Sequence, residues 1–181
     1  MLPAQFLKAQ VKKSTMKSTV GAKTLNTPKV GEKIQGDFNG DGKSEFATAK
    51  KVKERIGNPA ENGSPAAYEI QFSDPNIKPI LVNCCDIRLI NEDDLNNNGT
   101  DEISVYQAPM NGCTYAMTTY SFTNGKWKKM IDSFLIPTGC EPLSDEDLQQ
   151  RIVRENETVY YFETDMTNEN TKLVKKKAVL K

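Results

Sequence analysis

The sequence predicts an all-β fold built from antiparallel meanders, arranged as two or three blade-like repeats with one short helix. Three observations predict this fold class. Short runs of β-branched and aromatic residues recur along the 181 residues of the chain, and turn signals separate them. A pattern rich in Asp, Asn and Gly begins at residue 37 and again at residue 94. Each copy precedes a β-prone segment, so the recurrence indicates an internal repeat.

Residues 1–33 are predicted to form a flexible basic segment ahead of the β domain. They carry seven Lys and one Glu, and residues 12–29 are rich in Lys, Ser and Thr with little apolar content, which is typical of a tether. Residues 2–10 resemble the tail of a signal peptide with cleavage after Ala9, although a basic start and a full apolar run are missing. A frayed helix is the alternative for this stretch.

Residues 34–181 are predicted to form a single β domain, because a chain of this length fits the usual one-domain range. Hydrophobic residues make up 37% of the sequence, which is enough for a core. The repeats within this domain are predicted at approximately residues 34–90 and 91–140, followed by a degenerate repeat at 141–181.

Both copies of the pattern read D-x-N-x-[DN]-G-x-x-E, and we call them the first loop (residues 37–45) and the second loop (residues 94–102). Oxygen side chains at the first, third, fifth and ninth positions can surround a hard cation. The Gly at the sixth position permits the positive φ that folds the loop back. An EF-hand would close with a Glu where this chain has Thr48 and Val105. A shorter calcium loop that leads into a strand is therefore predicted.

Each loop is predicted to hold one calcium ion. The predicted ligands of the first loop are the side chains of Asp37, Asn39, Asp41 and Glu45 with the carbonyl of Lys43. Those of the second loop are the side chains of Asp94, Asn96, Asn98 and Glu102 with the carbonyl of Thr100. The first loop is the stronger candidate because it has three acidic ligands. Asp, Asn and Gly also form good turns without an ion, so an empty turn is the alternative.

The stretches GDFNGDGKSEF and DDLNNNGTDEISV resemble the FG-GAP and VCBS-type repeats of integrin-like β-propellers and of many secreted bacterial proteins. The resemblance covers roughly residues 34–136, and the metal loop is its only sharp part. It implies that calcium binds between two strands of a blade. This chain departs from the family pattern in having only two loops, in having Asn98 where an Asp is usual, and in being too short for a full propeller ring. A closed propeller is therefore not predicted.

The strands are predicted in chain order from alternation and β-prone composition. The hairpin signal Asn124-Gly125 is the strongest short turn signal in the chain. Each repeat then supplies a meander of three or four strands. The predicted strands are residues 46–49, 68–72, 78–82, 87–90, 103–106, 115–122 and 126–135.

The C-terminal part is predicted to contain one helix and a last hairpin. Ser144 and the acids that follow it form a capping-box-like start for a helix that runs to about Val153. Residues 158–163 and 172–180 then form strands across a turn at 168–170. The lysines of the last strand are typical of a solvated edge strand, so nucleic-acid binding is not expected.

The four cysteines are Cys84, Cys85, Cys113 and Cys140. An even number in a small β protein permits two disulfides, and buried free thiols are the alternative. Neighbouring strand residues point to opposite faces of a sheet. We therefore expect that Cys84 and Cys85 do not bond each other, and that at least one of them pairs with Cys113 or Cys140. Disulfides and calcium loops both favour an extracytoplasmic setting.

Composition excludes several functional classes. The chain contains no histidine, which rules out a Ser-His-Asp or Cys-His site within it and removes the commonest zinc ligand. The net charge is zero, so no global field directs the protein to nucleic acid or to a membrane surface. No stretch is long enough to span a membrane. Trp127 is assigned to core packing rather than to a sugar platform.

The sequence therefore predicts a secreted or periplasmic, non-catalytic calcium-binding scaffold or interaction module, with a structural role for calcium. Its expected partner is a protein or glycan that the sequence does not identify. A carbohydrate hydrolase is the enzyme alternative, because glycoside hydrolysis needs only two carboxylates. A metal-free structural β domain is the third interpretation.

Overall fold

The computed structural model describes residues 29–59, 61–165 and 172–181. Strands make up 51% of this part of the chain and helix 3%, so the predicted all-β fold with one short helix is confirmed. The elements in chain order are β1 (Val30–Gly31), β2 (Lys33–Gly36), β3 (Glu45–Lys53), β4 (Ala67–Phe72), β5 (Ile80–Asn83), β6 (Ile87–Asn91), β7 (Ile103–Gln107), β8 (Thr114–Thr123), β9 (Lys126–Pro137), α1 (Asp145–Gln149), β10 (Ile152–Glu155), β11 (Thr158–Thr164) and β12 (Leu173–Lys177).

The strands form three antiparallel sheets, each built mainly from consecutive strands. The first sheet has the order β2-β3-β4-β5, the central sheet β1-β6-β7-β8-β9, and the third sheet β10-β11-β12. Strand β1 pairs with β6, with Val30 opposite Ile90, so the chain enters the central sheet before it forms the first one. None of the three sheets closes into a barrel within the described residues.

The central sheet is buried on both faces. On one face Ile103 and Val105 pack against Ile34 and Ile70 of the first sheet. On the other face a second core contacts the helix and the third sheet, and its members include Ile90, Met117, Leu148, Ile152 and Val159. Four of the five residues of β7 are therefore buried, as expected of a strand that is covered on both sides.

Trp127 is partly buried and packs against the core between the first and central sheets, as the sequence predicts. Its ring stacks on Phe72 with the centroids 5.1 Å apart, and its Nε1 donates to the carbonyl of Lys78 at 3.0 Å. The preceding hairpin turns at Asn124 and Gly125, which have φ values of 53° and 72°. Both residues take positive φ, the conformation that joins β8 and β9 with the twist of the strands.

The helix begins as predicted but is shorter. The Ser144 hydroxyl accepts from the Asp147 backbone N–H at 3.1 Å, and the Asp147 carboxylate accepts from Ser144 in return. The helix ends at Gln149 instead of near residue 153, because Ile152 already pairs with Tyr161 in the third sheet. The turn predicted at residues 168–170 and the N-terminal segment up to residue 28 lie outside the described residues.

The cysteine pairing differs from the prediction. Cys84 bonds Cys85, and Cys113 bonds Cys140, so the expectation that the adjacent cysteines stay apart is wrong. That expectation assumed a strand, whereas Cys84 and Cys85 lie in the turn between β5 and β6. Both have positive φ, 67° and 71°, so the alternation of strand side chains does not apply to them.

No helix among the described residues has the length and apolar character needed to cross a lipid bilayer.

Candidate metal-binding loops

The first loop connects β2 to β3, and Asp37 organises it. The two carboxylate oxygens of Asp37 accept three backbone N–H groups, from Gly40 at 2.8 Å, Asp41 at 3.1 Å and Gly42 at 2.8 Å. These bonds wrap the chain around the carboxylate. The negative charge at the first position of the pattern therefore sets the shape of the loop before any ligand is considered.

The other predicted ligands of the first loop are held in the same way, each by one backbone N–H. The Asn39 side-chain oxygen accepts from Asp41 at 2.9 Å, and the Asp41 carboxylate accepts from Lys43 at 2.9 Å. The Glu45 carboxylate accepts from Phe38 at 3.0 Å. Each side chain in the predicted ligand set is therefore oriented by the loop backbone.

The second loop connects β6 to β7 and repeats most of this network, with two backbone N–H groups bonded to Asp94 where Asp37 has three. Equivalent donors and acceptors occupy equivalent positions of the pattern, with distances that differ by no more than a few tenths of an ångström from the first loop. The two copies of the pattern thus make matching hydrogen bonds. These run from Asn98 N and Gly99 N to Asp94 at 3.1 and 2.9 Å, from Asn98 N to Asn96 at 3.0 Å, from Thr100 N to Asn98 at 2.8 Å, and from Leu95 N to Glu102 at 2.7 Å.

The backbone conformations of the two loops also match. The sixth position is Gly42 in one loop and Gly99 in the other, with φ of 82° and 84°. The fourth position is Gly40 or Asn97, with φ of 76° and 60°. Glycine and asparagine are the residues that tolerate this left-handed region best, which explains their place in both copies.

The loops differ in what their asparagine amides contact. In the first loop the Asn39 amide donates out of the loop, to the Asp74 carboxylate at 3.0 Å. In the second loop the Asn96 amide donates to the Glu102 carboxylate at 2.9 Å. In the second loop, the acid at the ninth position, Glu102, thus accepts a hydrogen bond from a side chain of the same loop. In the first loop Glu45 is held only by a backbone N–H among the described contacts.

Three carboxylates converge in the first loop. Ligand oxygens of Asp37, Asp41 and Glu45 all lie within 4.8 Å of one another. Two oxygens bound to one calcium ion at about 2.3–2.6 Å are separated by up to about 5 Å. The acids of the first loop therefore fit a calcium ion, with the Asn39 oxygen beside them.

Burial and repulsion by neighbouring carboxylates disfavour the charged forms of Glu45 and Glu102, the acids at the ninth position of the two loops. Burial raises the pKa of Glu45; the negative charges of Asp37 and Asp41 add to this effect, while the N–H of Phe38 opposes it. Burial likewise raises the pKa of Glu102 to about 7. A divalent cation would oppose both causes, because it compensates the carboxylate charge where water cannot.

The two loops contact each other across the interface between the first and central sheets. The Asp101 carboxylate accepts from the Asp37 backbone N–H at 3.0 Å, and the Asp101 N–H donates to the Asp37 carbonyl at 2.8 Å. Asn91 adds a bond from its amide to the Gln35 carbonyl at 2.7 Å. The residue that carries the first candidate ligand is therefore anchored to the second loop.

Gly36 allows the close contact between the two loops. Gly36→Ala is expected to lower the free energy of unfolding by about 2 kcal/mol, because added volume at a packed site typically costs that much. A Cβ there would lie 2.5 Å from the Asp101 carboxylate and closer still to the Asn91 amide. Urea unfolding measures the change. The control is Gly42→Ala, where a Cβ meets nothing within 4 Å and only the positive φ is penalised, at about 1 kcal/mol. An alanine at 36 that costs less than one at 42 would contradict this account.

The structure thus brings together the three acids predicted for the first loop, and in the second loop it places the Asn96 amide against the Glu102 carboxylate. Lys43 is exposed and Thr100 is buried, and the amide of each is bonded within its loop. Sequence reasoning gave no role to Asp74, to the bridge through Asp101, or to Ser121. The Ser121 hydroxyl accepts from the amides of Asn96 and Asn98, both at 3.2 Å. These residues lie outside the pattern's ligand positions, so only the folded contacts identify them.

Comparisons of the chain with protein-family models, with curated proteins and with solved structures found no match in any of the three.

Proposed function

We propose that this protein is a secreted or periplasmic, non-catalytic interaction module whose fold is stabilised by calcium bound in the first loop. The convergence of Asp37, Asp41 and Glu45 within 4.8 Å carries this proposal. Three carboxylates held this close repel one another, and a divalent cation removes that repulsion. The FG-GAP and VCBS resemblance of the loops supports calcium as the ion.

The position of the first loop explains why the calcium would be structural. The loop joins β2 to β3 and is bonded to Asp101 of the second loop. An ion there would fix the strand-to-strand turn of the first sheet and, through Asp37, its attachment to the central sheet. No step of substrate chemistry is needed to account for the arrangement.

The second loop supports calcium binding less strongly. Its closing acid, Glu102, already accepts from the Asn96 amide and from the backbone N–H of Leu95. With Asn98 at the fifth position, only Asp94 and Glu102 are acidic ligands. We propose that the second loop is a weaker calcium site, and that its hydrogen bonds also hold its shape when no metal is bound.

The pocket beside the second loop gives little support to the hydrolase alternative. One pocket, beside the second loop, is lined by the acids Glu92, Asp93 and Asp94. Asp93 pairs with Lys29, and both oxygens of Asp94 accept backbone N–H groups of the second loop. A glycosidase needs two carboxylates that face the same bond with one free to act as acid. Here the two neighbours of Glu92 are committed to other contacts.

The extracytoplasmic setting rests on the cysteines. All four are in disulfides, and disulfides persist in oxidising compartments. The partner is proposed to be a protein or a glycan.

Calorimetry with chelator-stripped protein tests the proposal. We expect calcium to bind with one dominant equivalent, and Asp41→Ala to remove it. Asp132→Ala is the matched control, because Asp132 is an exposed acid on β9 that pairs with Lys181 and is not a predicted ligand of either loop. Absence of a binding signal at millimolar calcium would refute a calcium site and leave the metal-free interpretation.

A further inference from the structure

Asp74 lies outside both loops and contacts the first one. It belongs to the connection between β4 and β5, residues 73–79, and its carboxylate accepts from the Asn39 amide at 3.0 Å. Ser73 attaches this connection to the start of β3. Its backbone N–H donates to the Phe46 carbonyl, and its hydroxyl accepts from the Phe46 N–H, both at 2.9 Å. Asp74 therefore reaches the predicted ligand set of the first loop from a separate part of the first sheet.

The Asp74 carboxylate is itself anchored. Its Oδ1 accepts from the backbone N–H and from the side-chain amide of Asn76, both at 2.8 Å. Its Oδ2 is the atom that accepts from Asn39. Aspartate commonly bonds the backbone N–H two residues further on, and this bond fixes the side chain against its own turn. The Asn39 amide is thus directed by an acceptor that the β4–β5 connection holds in place.

Asp74 determines which end of the Asn39 side chain faces the loop. A carboxylate only accepts hydrogen bonds, so only the NH2 end of Asn39 can face Asp74. The Asn39 oxygen, at the other end, accepts from the Asp41 backbone N–H at 2.9 Å. An amide oxygen has two lone pairs, and this N–H uses one of them. The two contacts together present Asn39 to the loop as an oxygen donor.

Ser121 is the counterpart of Asp74 beside the second loop. The register of β3 and β4, continued to the first loop, places Asp74 opposite Glu45 at the ninth position. The register of β7 and β8, continued in the same way, places Ser121 opposite Glu102 at the ninth position of the second loop. Both residues accept from the amide of the third-position asparagine. The two loops therefore differ at one equivalent acceptor, which is anionic beside the first loop and neutral beside the second.

The asparagine amide of the second loop divides its contacts. The Asn96 amide donates to the Ser121 hydroxyl at 3.2 Å and also to the Glu102 carboxylate at 2.9 Å. A hydrogen bond to an ionised acceptor is about twice as strong as one to a neutral acceptor. Beside a neutral Ser121, the amide therefore bonds the acid of its own loop, and that acid is less available to a cation.

The first loop avoids this contact. The Asn39 amide donates to Asp74, and Glu45 accepts one backbone N–H and no side-chain donor among the described contacts. The anionic acceptor outside the loop thus replaces the acid inside it as the partner of the amide. Both Asn39 and Glu45 then offer oxygen atoms, the donors that calcium takes, to the space between the carboxylates.

We propose that Asp74 is a positioning residue of the first loop, which presents the Asn39 oxygen to calcium and keeps the Asn39 amide away from Glu45. This inference rests on the proposed calcium site and names the residue outside the pattern that makes the first loop the stronger one. Partners that orient metal ligands typically contribute about 10–100-fold to metal affinity.

Calorimetric titration of chelator-stripped protein with calcium tests this role. Asp74→Ser introduces the residue found beside the second loop and keeps an oxygen that can bond the Asn76 N–H. We expect it to raise the Kd of the dominant calcium equivalent by about tenfold or more. Asp74→Asn keeps a side-chain oxygen as acceptor without the charge, so it should retain more of the affinity. The matched control is Ser121→Ala, which removes the equivalent acceptor beside the second loop and should leave this Kd unchanged.

A double-mutant cycle separates positioning from simple charge attraction. Asp74 is close enough for its charge to act as well, because it adds to burial, the main cause, in raising the pKa of Glu45. If Asp74 acts through Asn39, Asp74→Ser should have little further effect on the Kd of Asn39→Ala. Effects that add, together with equal losses for Asp74→Asn and Asp74→Ser, would show attraction by charge alone and overturn the proposal.

NMR of the protein in chelator tests the contact without metal. The side-chain amide resonances of Asn39 should shift in Asp74→Ser and stay in place in Ser121→Ala, and melting curves in chelator report the cost of each change to the fold. Absence of calcium binding by the wild type would refute the calcium site on which the inference rests. Calcium binding by the wild type with the same Kd in Asp74→Ser would refute the role of Asp74 alone.

Discussion

Saturating calcium is expected to raise the melting temperature of the chelator-stripped protein by about 5–10 °C. A ligand that binds only the folded state stabilises it by about 2.7 kcal/mol at a hundredfold excess over Kd, and each kcal/mol shifts a domain of this size by about 2–4 °C. The physical cause is the relief of repulsion among Asp37, Asp41 and Glu45. Magnesium should raise the melting temperature less, because it demands strict octahedral geometry.

Reciprocal substitutions at the fifth position provide the sharpest form of this experiment. Asp41→Asn converts the first loop to the pattern of the second, and Asn98→Asp does the reverse. Both side chains occupy the same place in matching networks, so each change alters charge with little change of shape. We expect Asp41→Asn to remove most of the thermal shift and Asn98→Asp to add to it.

Differential scanning calorimetry of the wild type and the two variants, with calcium and with chelator, measures these shifts. The chelator curves are the control, because they report the cost of each substitution in the metal-free protein. A wild-type curve that is the same in calcium and in chelator would mean that calcium is absent or incidental.

Loss of the Cys113–Cys140 disulfide is expected to lower the free energy of unfolding by about 3.5 kcal/mol. The bond joins residues 27 apart in sequence, and the loop-closure entropy of an unfolded loop of this length gives that magnitude. It extends the β8–β9 hairpin, where Thr138 N–H donates to the Cys113 carbonyl at 2.9 Å. The double variant Cys113→Ser/Cys140→Ser should therefore show a lower urea midpoint with a similar or larger m-value.

The Cys84–Cys85 pair supplies the matched control. Cys84 and Cys85 are adjacent in sequence, so their disulfide closes no loop of the unfolded chain. The same entropy argument therefore predicts little stabilisation from it. Cys84→Ser/Cys85→Ser should change the midpoint much less. Equal losses for the two double variants would show that loop closure is not the source of the stability. Peptide mapping without reduction checks the pairing itself.

Local features of the fold were predictable from the sequence alone. The pattern at residues 37–45 and 94–102 predicts two turns of the same shape, and the matching bonds to Asp37 and Asp94 have that form. Ser144 predicts the start of the helix, and Asn124-Gly125 predicts the β8–β9 hairpin. These features depend on contacts between residues close in the chain, which a short stretch of sequence contains in full.

Contacts between distant segments decided the rest. Cys84 and Cys85 bond each other because the chain turns between the first and central sheets, so a rule for strands gave the wrong pairing. The Asp37–Asp101 bridge and the close approach at Gly36 exist because the first and central sheets pack against each other. The buried Oε1 of Glu92 has no hydrogen-bond partner among the described residues, and no local sequence pattern indicates this. The residue types and their spacing determined the strands and the two loops. Packing between sheets decided which polar atoms are buried, paired or left without a partner. Burial is a property of the whole fold, so a local pattern does not contain it.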